Sequence, residues 1–302
     1  MSYRILLTGS NGLLGQKIVP LLAHRSDVAL LATARGDNRH SLTVGYDYQA
    51  VNLTDSAALR QAVGEFQPNV IINTAAMTQV DACEDDRDAC DAINVEAVKV
   101  LCDLARAEGI RLVHISTDFV FDGKDGPYRE SDLPNPVNYY GESKLRAERL
   151  IRQIGLNHAV LRTILLYGVT PAMSRSNIVL WVKQSLEQGK AVRIVNDQHR
   201  TPTLAEDLAA ATVSAALGEM QGIYHVSGAE LMGVHEIAYR VADFWQLDRS
   251  LISETNSRSL NQKARRPPRT GFVIDKARAE LGYQPHSLEA GLQKLDEQLK
   301  AL

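Results

Sequence analysis

The sequence predicts an α/β fold, a doubly wound parallel sheet followed by a smaller, mixed C-terminal lobe. Short apolar runs alternate with amphipathic helical patterns from the N-terminus to about residue 165, the rhythm of strands buried on both faces and joined by crossover helices. The first run ends in a glycine-rich turn that opens a helix, Thr8-Gly-Ser-Asn-Gly-Leu-Leu-Gly15, the place where such sheets take their ligands. Beyond Gly168 the alternation gives way to helical patterns near 175–188, 204–217, 233–245 and 287–301, with short strands at 192–195 and 224–226. A first domain therefore spans 1–168 and a second 169–302, parts of each being interleaved after the boundary. With 302 residues and 45% hydrophobic content the chain can bury one large or two modest cores.

Taken in order, residues 5–7 are the first buried strand and Leu13 begins its helix. Gly9 permits the tight turn, Gly12 lets a diphosphate approach bare backbone, and Gly15 lets the helix pack close to the strand. The free N–H groups of the new helix face the phosphate, so Gly9, Asn11, Gly12, Leu13, Leu14 and Gly15 are candidate dinucleotide contacts; an ordinary strand–helix turn is the alternative. Residues 28–33 form the second strand, and Arg35 behind it suits a 2′-phosphate where an acid would suit a 2′-hydroxyl. Residues 36–50 read as loop, with a short strand within 46–53, and Thr54 and Asp55 cap a helix over 56–66.

The break Gln67-Pro68-Asn69 precedes a strand over 70–73, which ends in the small side chains of Asn73-Thr74-Ala75-Ala76. Those allow backbone to lie close to a cofactor ring or ribose. Residues 81–91 are acidic and start a solvated helix. The helix over 89–108 carries Ile93, Ala97, Val100, Leu101 and Leu104 near one face, with Asn94 beside that stripe. A strand over 112–115 ends in Ser116-Thr117-Asp118, and residues 119–138 are a Gly-, Pro- and Asp-rich loop too long for a mere connection. Tyr140 and Lys144 then share one face of a helix running on through Ile151.

The net charge of −3 argues against a general nucleic-acid or membrane-surface role, and no apolar run reaches the length of a membrane span. Cys83, Cys90 and Cys102 fit neither a paired disulfide framework nor a metal-ligand spacing. Free thiols in a reducing cytoplasm are the expectation, and the N-terminus enters its strand without a basic leader.

The glycine loop, Asn73-Thr74-Ala75-Ala76, Asn94, Ser116-Thr117 and Tyr140…Lys144 occur in the order and approximate spacing of the extended short-chain dehydrogenases/reductases. Ser-Thr-Asp-Phe-Val-Phe-Asp-Gly at 116–123, Leu161-Arg162-Thr163, Tyr167-Gly168, Asp197-Gln198 and Thr201-Pro202-Thr203 narrow the likeness. Over nearly its whole length the chain resembles the dTDP-4-dehydrorhamnose reductase family with its sugar-nucleotide-binding relatives. The resemblance implies a Rossmann domain, a C-terminal lobe holding a sugar nucleotide, and NAD(P)H-dependent reduction of a 4-keto-6-deoxy sugar nucleotide. No residue is assigned to a metal, and a homodimer is allowed.

By that resemblance Tyr140 is the acid, Lys144 lowers the phenol's pKa and binds the nicotinamide ribose, Thr117 donates to the substrate oxygen, and Asn94 orients a water beside Lys144. Ala75 and Ala76 would lie at the cofactor, Asn52 and Leu53 at the adenine, and Asp118, Arg200, Arg265 and Arg266 at the sugar nucleotide. The last two belong to a basic cluster, Lys263-Ala-Arg265-Arg266-Pro-Pro-Arg269, suited to a diphosphate. Arg35 favours NADPH, with NADH as the other candidate. Asn52-Leu53, Met77 and Leu165 depart from the family's usual residues. Two other readings compete. One is another sugar-nucleotide enzyme, an epimerase or a dehydratase, of which the dehydratase would want a second carboxylate where Phe119 stands. The other is a regulatory subunit like the methionine adenosyltransferase beta subunit, which would keep a cofactor site without turnover.

Overall fold

The computed structural model describes residues 2–153, 155, 157–173, 176–260 and 262–302. Its centre is a sheet of seven strands: β1 (Tyr3–Thr8), β2 (Val28–Ala34), β3 (Asp47–Ala50), β4 (Val70–Asn73), β5 (Arg111–Thr117), β6 (His158–Thr163) and, far along the chain, Gly222–His225. Every pairing in it is parallel. The spatial order is β3-β2-β1-β4-β5-β6 followed by Gly222–His225, so the winding reverses between β1 and β4 and opens a crevice at their carboxyl ends.

The helices follow as α1 (Leu13–Ala23), α2 (Ser56–Phe66), α3 (Val80–Asp85), α4 (Arg87–Asp91), α5 (Ala97–Glu108), α6 (Tyr139–Gln153), α7 (Ile178–Glu187), α8 (Ala205–Leu217), α9 (Val234–Phe244), α10 (Asp275–Leu281) and α11 (Leu288–Ala301). Strand alternation sorts them onto the two faces. Ile5, Leu7, Ile72 and Val113 pack with Leu14 and Ile18 of α1 and Leu208 and Ala211 of α8. Leu6, Ile71 and Leu112 point the other way, to Leu59 of α2, Leu101 of α5 and Ile151 of α6. A separate core joins α7, α9 and α11 to the strand Val192–Val195, which pairs in parallel with Ile252–Thr255.

Local chemistry explains the irregular points. Pro20 inside α1 has no N–H for the carbonyl of Gln16, and the His40 ring takes that carbonyl at 2.9 Å. Asp55 caps α2 on the N–H groups of Ala57 and Ala58. The helix expected over 89–108 is instead α4, a π-helical turn at Ala92–Glu96, and α5. The short strand expected in the C-terminal lobe is Gly222–His225 and completes the first sheet, so the chain returns to its N-terminal half well after residue 168. Among the described residues no helix is long and apolar enough to cross a membrane.

Candidate active site

A cavity of about 680 Å³ opens at the carboxyl ends of the central strands. One wall is the turn between β1 and α1. Gly9 has φ +74°, and a Cβ there would sit 2.7 Å from the backbone nitrogen of Ala75; one on Gly15 would lie 2.4 Å from the carbonyl of Gly9. Both positions therefore require glycine. Gly12 precedes α1 without a side-chain cap, leaving the first N–H groups of the helix to a ligand. The Ser10 hydroxyl is buried and, among the described residues, without a hydrogen-bond partner. Bare helix N–H groups, an orphaned hydroxyl and a cradle that side chains would fill fit a dinucleotide diphosphate.

Asn11, Gly12, Leu13, Leu14, Gly15 and Ala76 line the cavity. Arg35, Asn52, Leu53, Ala75 and Arg265 are not on its wall. Asn52 instead accepts from the N–H of Thr54. Arg35 is exposed at the end of β2, where Asn11 ties the following loop through the carbonyl of Asp37 and the N–H of Arg39.

The second wall carries Thr117, Asp118, Tyr140 and Lys144. β5 delivers Thr117 at its last residue, and α6 presents Tyr140 and Lys144 one turn apart. The Thr117 hydroxyl donates to Asp118 Oδ1 at 3.1 Å and accepts from the N–H of Phe119 at 3.2 Å. Burial is the main reason the Tyr140 phenol lies above its ordinary pKa; the nearness of Thr117 opposes this and the charge of Asp118 adds to it. The sequence argument expects Lys144 to depress the phenol. Here desolvation dominates, and Lys144 Nζ is engaged elsewhere, donating to the carbonyl of Ile115 at 2.7 Å and lying 3.0 Å from Nε2 of His114. Burial brings Lys144 itself down to about 8, against the opposing charges of Glu148 and Cys90.

Asn94 lies in the π turn, fully buried. Its amide nitrogen donates to the carbonyl of Met77 and to Ser143 Oγ, both at 3.0 Å, and its oxygen accepts the Met77 N–H at 2.8 Å. The side chain expected to orient a water at Lys144 thus pins the loop after β4 to α6.

Two of the basic residues expected at the sugar nucleotide, Arg200 and Arg266, are engaged within the protein. Arg200 lines the cavity, but it donates to the carbonyls of Pro267 at 2.7 Å, Pro268 at 3.3 Å and His199 at 2.8 Å, and its Nε stands 3.7 Å from Asp118. Burial raises the pKa of Asp118 even so, and Thr270 bonds the same carboxylate. Arg266 forms a bidentate pair with Asp81, both contacts at 2.7 Å, and Lys263 pairs with Asp85 at 2.5 Å. The acidic stretch and the basic cluster of the sequence are therefore each other's partners. Arg265 keeps its side chain exposed while its carbonyl accepts from Asn138.

Leu165, a departure from the family's usual residues, and Thr163 of the Leu161-Arg162-Thr163 match line the cavity too, whereas sequence reasoning passed over Thr170 and Asn177 there. Thr170 has a buried hydroxyl that, among the described residues, is unpartnered. Leu165 has φ +43°, an unusual conformation for a branched residue. Neither property leaves a local mark in sequence.

Comparison with known proteins agrees with this fold. The chain is 35% identical over 259 residues to methionine adenosyltransferase 2 subunit beta of Bos taurus, covering 82% of this chain and 73% of that protein. It is 30% identical over 296 residues to the "Probable low-salt glycan biosynthesis reductase Agl14" of Haloferax volcanii, covering 96% of each. The crystal structure of dTDP-4-dehydrorhamnose reductase from Bacillus anthracis in complex with NADP is similar with a TM-score of 0.84 at 26% identity, over 99% of this chain and 100% of that one. The family model described as RmlD substrate binding domain matches residues 3–301, and the chain belongs to that family.

Proposed function

We propose that the protein is an NAD(P)H-dependent reductase of a 4-keto-6-deoxy sugar nucleotide, with dTDP-4-dehydrorhamnose as substrate and NADPH as reductant. The observation that carries this reading is the meeting of Thr117, Tyr140 and Lys144 in the same cleft as the glycine cradle. When bound, the reduced nicotinamide supplies a hydride to the carbonyl carbon. Tyr140, buried and holding its proton at neutral pH, gives that proton to the carbonyl oxygen as negative charge gathers there. Thr117, on the same wall of the cleft as the phenol, offers a second polar contact to the same oxygen. Lys144 brings positive charge and N–H donors to the ribose side of the cleft. Phe119 stands where elimination chemistry would want a carboxylate, and its ring packs edge-on against Tyr140 at 5.7 Å.

A second reading, a cofactor-binding regulatory subunit, is favoured by the engagement of Arg200 and Arg266 with groups of the protein itself. Loss of nicotinamide absorbance with a panel of 4-keto sugar nucleotides decides between the two. The enzyme reading expects turnover that falls by roughly 10²–10⁴-fold in Tyr140→Phe, with NADPH affinity kept. Tight NADPH binding with no ketone reduced by the wild type selects the regulatory reading.

A further inference from the structure

We propose that His114 is a positioning residue for Lys144: with Asn73 it lets the lysine hold or release its proton without losing a buried hydrogen-bond partner. The inference rests on the reading of Lys144 as the lysine that serves the cofactor. Lys144 is 2% exposed, Asn73 2%, and His114 and Thr8 0%, so bulk solvent has little access to their polar atoms. Their side chains form one line. Lys144 Nζ lies 3.0 Å from His114 Nε2, His114 Nδ1 lies 3.1 Å from Asn73 Nδ2, and Asn73 Oδ1 lies 2.6 Å from Thr8 Oγ1.

A neutral imidazole has one N–H and one lone pair. As the groups stand, Asn73 donates to Nδ1, so the ring proton sits on Nε2 and points at Nζ. Only a neutral amine, with a lone pair, can accept it while donating to the carbonyl of Ile115. A charged lysine has donors alone. It needs the lone pair on Nε2, which puts the ring proton on Nδ1, and turning the Asn73 amide over supplies the acceptor while its NH₂ donates to Thr8. That state gives up the 3.3 Å bond from the Ala75 N–H to Asn73 and reverses the Thr8 bond, so that the Thr8 hydroxyl accepts where it had donated, and it keeps Lys144, His114 and Asn73 partnered to one another. Burial and the charge of Lys144 keep the imidazole itself neutral, with its pKa well below the ordinary histidine value.

The other groups facing Lys144 are Tyr140 and Glu148 on its own helix and Cys90 on α4. The Glu148 carboxylate is held by Arg162 and Ser116, and the Cys90 thiol, drawn down to about 7 chiefly by its bond with Cys83, also contacts Ser143 and Asn94. Of the two groups that bond Nζ, the Ile115 carbonyl can accept only, whereas His114 can reverse its hydrogen bond in step with the lysine's charge.

Removing the imidazole takes an acceptor from the charged state, whose bond is the stronger. His114→Leu therefore lowers the midpoint of Lys144 titration, read in the free protein from the NMR shift of its ε-carbon, by about one pH unit, equivalent to roughly tenfold at fixed pH. NADPH affinity, followed by fluorescence, falls off at correspondingly lower pH. His114→Gln, which keeps a donor and an acceptor, restores much of both, and Cys90→Ala leaves the His114 effect in place. In a Lys144→Met background His114→Leu costs no further NADPH affinity. An unmoved lysine midpoint in both His114 variants, or an undiminished loss in the Lys144→Met background, overturns the proposal. A shifted midpoint in a protein that binds no NADPH keeps it and refutes the cofactor reading instead.

Discussion

Removing one partner of the ion pair between Glu148 and Arg162 should do more damage than removing both. Arg162 is 1% exposed and Glu148 0%. The contacts are bidentate, Nε to Oε1 at 2.9 Å and Nη2 to Oε2 at 2.7 Å, and Ser116 Oγ donates to Oε1 at 2.6 Å. The guanidinium also lies 5.0 Å from the centroid of the Phe121 ring, with Nη1 3.3 Å from His225 Nε2. Glu148→Leu leaves an uncompensated charge in that setting, at a cost of about 3–5 kcal/mol. Arg162→Met with Glu148→Leu removes both desolvation penalties along with the attraction, and should lie within about 2 kcal/mol of wild type. Equilibrium urea unfolding of the two singles and the double measures the cycle, and the coupling should be about 3 kcal/mol or more. A single Glu148→Leu costing under about 1 kcal/mol, or a double costing the sum of the singles, would refute the reasoning.

Gly15→Ala should abolish dinucleotide binding and lower stability, because its Cβ would meet the Gly9 carbonyl at 2.4 Å and Ser10 Cα at 2.6 Å; titration with NADPH and a thermal melt check both. Arg35→Ala should weaken NADPH several-fold and leave NADH unchanged, and equal effects on the two would remove the 2′-phosphate role. The folded protein holds Lys144 at about 8 against an ordinary 10.5, so between those values the unfolded chain binds more protons and stability rises with pH. Wild type should thus gain about 2 kcal/mol on Lys144→Met between pH 8 and 9.5, measured by urea unfolding at each pH, whereas a constant difference would mean an unperturbed lysine.

What the sequence made legible was local. Strand, glycine turn and helix lie within residues 3–23, and the opposed burial of Leu6 against Ile5 and Leu7 follows from strand alternation. Thr117, Tyr140 and Lys144 reach the cleft because each sits at a strand end or in the first two turns of a helix. The rest depended on contacts across long separations. Asp81 and Arg266 are 185 positions apart, so an acidic helix and a basic loop each read as solvent-facing or ligand-facing when taken alone. Arg200 reads as a substrate contact because its real partners are backbone carbonyls, which no side-chain pattern announces. The π turn at Ala92–Glu96 has no sequence mark either. One signal was available and unused: His114 interrupts the apolar run of β5, and a polar residue in a strand buried on both faces needs a partner.

The closing of the cleft by the far end of the chain has a consequence for how the protein is made. Arg200 is held by the carbonyls of Pro267 and Pro268, Asp118 by Thr270, and Tyr128 bonds the carbonyl of Gly271. During synthesis the ribosome releases β1 through α6 long before these residues. N-terminal segments fold as they emerge, so the nascent chain forms the glycine cradle while Asp118 and Arg200 still lack those partners. Nascent chains stalled between residues 153 and 262 should therefore remain protease-sensitive around 119–138, and gain protection only when the 263–272 segment has cleared the exit tunnel.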